Sequence, residues 1–181
     1  QRVLGDVEAV AGGAPVVFED AARDRVRVAR GVVERAVAEG RTMYGVTTGF
    51  GSLADVRIRP EQANDLQHAI LRSHATAVGP LLSSAEARAM LLLRAHVLAL
   101  GHSGVRVAIV ERMLDMLNHD IVPAVPEQGS LGASGDLAPL ASLALPLIGE
   151  GRVLDGAGAT DAAGALATAG LEPLSLEAKE G

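Results

Sequence analysis

The chain has 181 residues, of which 49% are hydrophobic, and a formal net charge of -6. This composition supports one folded domain, and an acidic balance without runs of like charge argues against a nucleic-acid surface or an anionic membrane as partner. The absence of cysteine excludes disulfides, thiolate metal sites and a cysteine nucleophile.

The N-terminal part of the chain predicts one long amphipathic helix. Residues 3–18 favour a short helix or turn followed by a short strand. From Asp20 onward, apolar residues recur at intervals of three and four until Gly40, which predicts a helix ended by a glycine. The N-terminus has no charged segment followed by an apolar run, and no apolar stretch is long enough to span a bilayer. We therefore expect a cytoplasmic protein with no membrane partner.

A loop rich in glycine and threonine, residues 41–51, precedes a second helix that begins at Pro60. In this helix Leu66, Ile70 and His74 stand four residues apart. Side chains four residues apart share one face of a helix, so we expect His74 to lie on an apolar face.

Two further helices are predicted in the middle of the chain. Ser83-Ser84-Ala85-Glu86 is typical of a capping box and predicts the start of a strongly apolar helix that ends near Gly101. Ser103 is a candidate N-cap for the next helix, and Pro123 and Pro126 follow its end. The chain is therefore expected to be mainly α.

The C-terminal third begins with residues 137–148, which are apolar on nearly every side and predict a buried helix with Asp136 as a candidate N-cap. Residues 150–160 predict a hairpin or loop, and a last helix is expected from Ser175. Because the chain ends inside that expected helix without a cap, we expect it to be a truncated fragment.

The stretch Gly-Ser-Leu-Gly-Ala-Ser-Gly-Asp-Leu-Ala-Pro at 129–139 concentrates small residues. It lacks the Gly-Lys of a phosphate loop and the G-x-G-x-x-G spacing of a dinucleotide site, so both nucleotide interpretations fail. A tight turn is the ordinary interpretation. The alternative is cyclisation: the Gly135 nitrogen attacks the Ala133 carbonyl, and loss of water and of the Ser134 hydroxyl leaves a conjugated electrophilic ring with an exocyclic methylene.

Residues 133–139, Ala-Ser-Gly-Asp-Leu-Ala-Pro, together with Tyr-Gly-Val-Thr-Thr-Gly-Phe-Gly at 44–51, resemble the aromatic amino acid ammonia-lyase family. The resemblance extends from about Arg41 to the C-terminus. It implies a methylidene imidazolone (MIO) cofactor formed from Ala133, Ser134 and Gly135. It also implies a mainly α fold, the N-terminal part of an aspartase/fumarase-like multihelical fold, with small β-ribbons expected near 14–18 and 150–155.

The same resemblance implies roles for other residues. Asp136 matches the residue that assists formation of the ring, and Tyr44 matches the base proposed to remove the substrate's β-proton. Ser73 and His74 match a pair on the helix after the tyrosine loop that selects the substrate, and this pair is similar to that of histidine-selective members. An imidazole substrate needs a hydrogen-bonding partner, whereas a phenyl ring needs an apolar wall.

The implied reaction is elimination of ammonia from L-histidine to give trans-urocanate. Val46-Thr47 departs from the asparagine-containing pattern of many histidine-selective members, so a phenylalanine or tyrosine ammonia-lyase or an aminomutase remains an alternative. A non-catalytic shortened paralogue that acts as a binding module is a further one.

Family chains are more than twice this length, and their central helical bundle completes the site and builds a homotetramer. We therefore expect residues 1–181 to be the N-terminal MIO-containing domain and to be inactive alone. Strained backbone persists only where surrounding structure enforces it, so Ala133-Ser134-Gly135 is expected to stay unmodified in the isolated domain. No metal is expected, because the other histidines (His68, His96, His102 and His119) show no ligand-like clustering.

Overall fold

The computed structural model of the chain describes residues 4–49, 58 and 60–181, with all of their side chains except those of Pro60, Glu61 and Ser134. Within this part, the chain is mainly helical, with short strands between some of the helices. The helices are α1 (Leu4–Ala11), α2 (Asp20–Ala38), α3 (Pro60–His74), α4 (Ser84–Ala99), α5 (Val107–Asn118), α6 (Leu137–Ala144) and α7 (Ala162–Thr168). The strands are β1 (Val78–Leu81), β2 (Pro126–Gln128), β3 (Arg152–Asp155) and β4 (Gly158–Asp161), and 3-10 turns lie at Gly132–Ser134 and Leu145–Ile148.

Helix α2 has the start and the end that the sequence predicts. Its buried side is built from residues at helical spacing, among them Val26, Val33 and Ala36. At its end Gly40 adopts a φ of 62°, which lets the Arg41 amide donate to the Ala36 carbonyl at 2.9 Å. A left-handed glycine with this reversed hydrogen bond is a common helix terminator.

Helices α4 and α5 form the centre of the core. α4 contacts α1, α2 and α5, so its sequence is apolar on more than one side. Large side chains that are almost fully buried include Leu91, Leu92, Val110, Met116, Val125, Leu143 and Leu166. The helices before and after the site are therefore held by one shared apolar core.

The predicted capping box of α4 is confirmed. The Glu86 amide donates to Ser83 Oγ at 3.3 Å, and the Ser83 amide donates to Glu86 Oε2 at 2.9 Å. The predicted cap at Ser103 is wrong. α5 begins after Arg106, whose amide donates to Glu180 Oε1 at 2.9 Å, so a carboxylate distant in sequence replaces the local serine.

The described residues form two small antiparallel ribbons. β3 pairs with β4 in register Arg152 to Asp161, which confirms the ribbon expected near 150–155. β1 pairs with β2, and their register runs from Val78 opposite Gln128 to Leu81 opposite Pro126.

The prediction of a ribbon near residues 14–18 is wrong, because this segment pairs with no strand among the described residues. Its backbone is instead bound by a side chain: the Val16 amide donates to Asn118 Oδ1 at 2.8 Å, and Asn118 Nδ2 donates to the Val16 carbonyl at 3.0 Å. An extended segment satisfied in this way needs no neighbouring strand.

The last third differs from the sequence prediction in two places. α7 was not predicted; it begins after Asp161, whose carboxylate accepts the Gly164 amide at 2.9 Å. The helix expected from Ser175 is absent, because residues 175–181 are irregular and are bound by side chains of other elements. Arg106 Nη2 donates to the Ser175 carbonyl at 2.5 Å, so a backbone carbonyl of this segment is bound by a residue distant in sequence.

No helix in the described part of the chain combines the length and the apolar character that crossing a bilayer requires.

Candidate active site

Residues 129–136, which we call the glycine loop, connect β2 to α6. The Gly135 amide donates to the Gly132 carbonyl at 3.1 Å, and Leu131 and Gly135 pair as an isolated antiparallel bridge. Ala133 lies at the exposed tip of this one-turn loop. The predicted turn is therefore present, closed on itself and directed to the surface.

Two glycines give this loop its shape. Gly135 has φ 84° and ψ -179°, a backbone region that residues with a side chain rarely occupy, and Gly132 has a φ of 24°. A Cβ added at either position would meet no atom within 4 Å. The requirement for glycine is therefore conformational and not steric.

Asp136 stands at the N-cap position of α6, but its carboxylate does not cap the helix. It accepts a hydrogen bond from Ser130 Oγ, on the other side of the loop. The predicted capping role is therefore wrong, because the carboxylate joins the two ends of the loop instead. Ser130 was not singled out from the sequence, although it flanks the glycines on one side as Asp136 does on the other.

Ser73 and His74, which we call the selectivity pair, form the exposed end of α3. His74 lies on the same side of α3 as Leu66 and Ile70, the face predicted to be apolar, but those two side chains are only half-buried and His74 is exposed. The buried side of α3 is formed by Leu71 and by Gln67, which is only 2% exposed. Gln67 is buried because its Oε1 accepts the Glu180 and Gly181 amides at 3.1 and 2.7 Å, a long-range contact that helical periodicity does not reveal.

The His74 ring has a defined orientation. Its Nδ1 lies 2.8 Å from the Ile70 carbonyl oxygen and 3.1 Å from Ser73 Oγ. Because a carbonyl oxygen only accepts hydrogen bonds, Nδ1 is the nitrogen that bears the hydrogen. In the neutral ring Nε2 is therefore a hydrogen-bond acceptor.

The β1–β2 ribbon connects the selectivity pair to the glycine loop. β1 follows α3 after a few residues and pairs with β2, which leads directly into the loop. Where they meet, Gly129 is so close to Ala77 and Ala138 that an added Cβ would lie 2.9 Å from the Ala77 Cβ. The start of the loop is thus packed against the segment that follows α3, an arrangement not predicted because Gly79-Pro80 in β1 is typical of a turn.

Tyr44 lies at the start of a separate turn, residues 44–47. Thr47 Oγ1 donates to the Arg41 carbonyl at 2.6 Å and accepts the Met43 amide at 2.8 Å, so this threonine fixes the turn from inside. Tyr44 itself is 62% exposed. Phe50 and Gly51, the end of this motif, lie outside the described residues. The approach of Tyr44 to the glycine loop stays a prediction.

An ion pair lies beside the selectivity pair. Arg72 donates from Nε to Glu150 Oε2 at 2.8 Å and from Nη2 to Glu150 Oε1 at 2.5 Å. These hydrogen bonds lower the pKa of the Glu150 carboxyl and raise the pKa of Arg72. Across the described residues, no group of three or more histidine, aspartate or glutamate side chains is placed to hold a metal ion.

Comparison with known proteins agrees with this arrangement. The sequence model of the family described as aromatic amino acid lyase matches residues 3–181. Histidine ammonia-lyase of Geobacillus thermodenitrificans is 52% identical over 181 residues, which are 100% of this chain and 35% of that protein. The chain therefore belongs to the aromatic amino acid lyase family, and it spans about a third of the length of the curated relatives it matches.

Solved structures share its fold. Histidine ammonia-lyase from Trypanosoma cruzi matches with a TM-score of 0.88 and 39% identity, over 97% of this chain and 34% of that one. Tyrosine aminomutase from Streptomyces globisporus matches with a TM-score of 0.92 and 39% identity, over 99% of this chain and 34% of that one. The predicted fold class, a mainly α part of a multihelical fold with small β-ribbons, is confirmed.

Proposed function

We propose that these residues form the N-terminal, MIO-containing domain of a cytoplasmic histidine ammonia-lyase, a carbon-nitrogen lyase of histidine catabolism that converts L-histidine to trans-urocanate and ammonia. The main support is the 52% identity with a histidine ammonia-lyase across the whole chain. The β1–β2 ribbon, which links the segment after the histidine-containing selectivity pair to the glycine loop, is consistent with it.

The glycine loop fits the MIO ring that the family resemblance implies. Cyclisation joins the Gly135 nitrogen to the Ala133 carbonyl carbon and releases two water molecules, one from that carbon and one from the Ser134 side chain. The open space around Gly135 and its glycine-only backbone suit this ring. When formed, the ring supplies an electrophile that makes the substrate's amino group a better leaving group.

One hydrogen bond of the loop opposes ring closure. The Gly135 amide donates to the Gly132 carbonyl, and this bond must break before the nitrogen can attack Ala133. The strain of the cyclising loop needs surrounding structure to enforce it. Contacts from the rest of the enzyme are the proposed source, which is why residues 1–181 alone are proposed to stay unmodified and inactive.

His74 supplies the specificity in this proposal. Its Nδ1 is held by the Ile70 carbonyl, so its Nε2 is left to accept the N–H of a substrate imidazole. A phenyl ring in the same place would bury that acceptor without a partner, which costs about 1–3 kcal/mol. The pair therefore favours L-histidine over phenylalanine.

Tyr44 is proposed to remove the β-proton of the substrate. Tyr44, His74 and Ala133 are all exposed in this chain, whereas elimination needs a site from which water is excluded. We propose that the remaining two thirds of the polypeptide and neighbouring subunits of a homotetramer cover this face and complete the site.

An aminomutase or a phenylalanine or tyrosine ammonia-lyase is the second candidate. Two observations favour it: the TM-score of 0.92 with a tyrosine aminomutase, and Val46-Thr47 in the tyrosine loop. An aminomutase would return a β-amino acid, whereas a lyase releases ammonia.

The test is a substrate comparison with the full-length enzyme that contains these residues. We expect urocanate from L-histidine and little or no cinnamate from phenylalanine. Ser134→Ala removes the hydroxyl that must be eliminated and should abolish turnover, while Ser84→Ala, at the exposed start of α4, should not. Turnover of Ser134→Ala at the wild-type rate, or faster conversion of phenylalanine or tyrosine than of histidine, would overturn the proposal.

A further inference from the structure

The Arg72–Glu150 ion pair differs from an ordinary surface pair in its reach and geometry. It joins residues 78 positions apart through two parallel hydrogen bonds of 2.8 and 2.5 Å. Two-bond arginine–carboxylate pairs fix direction as well as distance. By contrast, the exposed pair of Arg27 with Asp24 joins neighbouring turns of one helix through a single bond of 2.7 Å.

The backbone before Glu150 fixes the position of this residue. Gly149 ends the 3-10 turn after α6 in a left-handed conformation, with φ 73° and ψ 17°. The Glu150 amide then donates to the Leu145 carbonyl at 3.1 Å. The backbone of Glu150 is therefore held against the 3-10 turn that follows α6, and this does not depend on the hydrogen bonds from Arg72.

On α3, Arg72 stands immediately before Ser73 and His74, the selectivity pair. α3 packs on α6, and the other end of α6 meets the chain after α3 through Ala77, Gly129 and Ala138. Along α6 the two contacts lie at opposite ends, the close backbone packing at the loop end and the ion pair just past the far end. Along α3 both lie at its C-terminal end or a few residues beyond it.

We propose that Arg72 and Glu150 are positioning residues for substrate binding: their ion pair fixes α3 on α6, and so sets the distance of His74 from the glycine loop. This inference rests on the proposed function. Neither side chain needs to touch the substrate. The side chains are 59% and 33% exposed, and exposed pairs add little to folding stability, so their removal should leave the fold intact.

The test measures KM and kcat for L-histidine in the full-length enzyme. Arg72→Gln and Glu150→Gln should each raise KM by about three- to fivefold, because an exposed ion pair cannot bias the position of α3 by more than its own small worth. kcat and the absorbance of the ring should change little. The double variant should be no worse than either single one, because both remove the same interaction.

Three further variants test whether the two-bond geometry of this ion pair is what positions His74. Exchange of the partners, Arg72→Glu with Glu150→Arg, should restore KM, whereas Arg72→Lys should stay impaired because lysine cannot form two parallel bonds. Arg27→Gln is the matched control and should leave KM unchanged.

The proposal fails if wild-type enzyme turns over histidine but Arg72→Gln keeps its KM, or if Glu150→Gln has no effect while Arg72→Gln does. The second result would mean that Arg72 binds the substrate carboxylate directly. Wild-type enzyme that does not use histidine at all would refute the proposed function instead.

Discussion

Gly135 meets two requirements at once. Its backbone conformation, with φ 84° and ψ -179°, is one that only glycine adopts readily, and its unhindered nitrogen is the proposed nucleophile. Asp136 contributes by accepting a hydrogen bond from Ser130 across the loop. The turn of the loop was predictable from its residue types, whereas the partner of Asp136 was not, because N-cap position alone suggests a bond to the helix.

The variant His74→Leu tests whether the imidazole of His74 selects L-histidine over phenylalanine. Leucine fills the space of the imidazole but cannot accept the substrate's N–H, so kcat/KM for L-histidine should fall by about 10- to 100-fold. Relative activity on phenylalanine should rise. The measurement is steady-state kinetics of the full-length enzyme on both substrates.

His119→Leu is a matched control for that variant. His119 ends α5 and holds its Nδ1 2.8 Å from the Asp115 carbonyl oxygen, the same local arrangement as His74 with Ile70. It should leave the kinetics unchanged. An unaltered preference for histidine in His74→Leu would show that another residue selects the substrate.

Among the elements, α4 is the one whose start is defined most completely by local sequence. The hydrogen bonds from Ser83 lower the pKa of the Glu86 carboxyl. A lowered folded-state pKa stabilises the protein above the unfolded carboxyl pKa of about 4.3, and that contribution is lost as pH falls through the lower folded value. The capping box should therefore stabilise the fold at neutral pH more than in acid.

Ser83→Ala should accordingly lower the free energy of unfolding of residues 1–181 by about 1 kcal/mol at pH 7. The loss should be smaller at pH 3. Urea denaturation at the two pH values measures it, with Ser84→Ala as control, because Ser84 is the first helical residue and does not cap. Equal losses for the two variants would contradict the capping assignment.

Elements with local start and stop residues were predictable: α2 with Gly40, α3 with Pro60 and α4 with Ser83. Elements that depend on distant contacts were not. The β1–β2 ribbon contains Gly79-Pro80, and its strands are separated by α4 and α5, so no local pattern indicates the pairing. Helical spacing likewise predicted an apolar face for His74 but could not show which face of α3 is buried, because Gln67 is buried by the C-terminal segment.

For the whole molecule, the C-terminal segment shows how much of the fold depends on long-range polar contacts. Glu180 has no exposed side-chain surface, and Arg106 binds its carboxylate at 2.9 and 2.7 Å. Gln67 joins the same segment to α3. The helix that carries the selectivity pair is therefore packed between α6 on one side and the end of this chain on another.

The site of this molecule is open. The assignment of residues to it from family resemblance and motif chemistry stays a prediction, and the β1–β2 ribbon links the segment after the selectivity pair to the glycine loop. In the proposed enzyme, Tyr44, His74 and Ala133 are covered by groups from the rest of the polypeptide and from neighbouring subunits. The sequence of residues 1–181 therefore contains no pattern that could identify those groups.

The most direct test of the account is the mass of the peptide spanning residues 129–139, isolated from full-length enzyme that is turning over L-histidine. If Ala133-Ser134-Gly135 cyclises, this peptide is lighter than its sequence by two water molecules, and Ser134→Ala abolishes the difference. An active enzyme whose peptide has the unmodified mass would contradict this cyclisation.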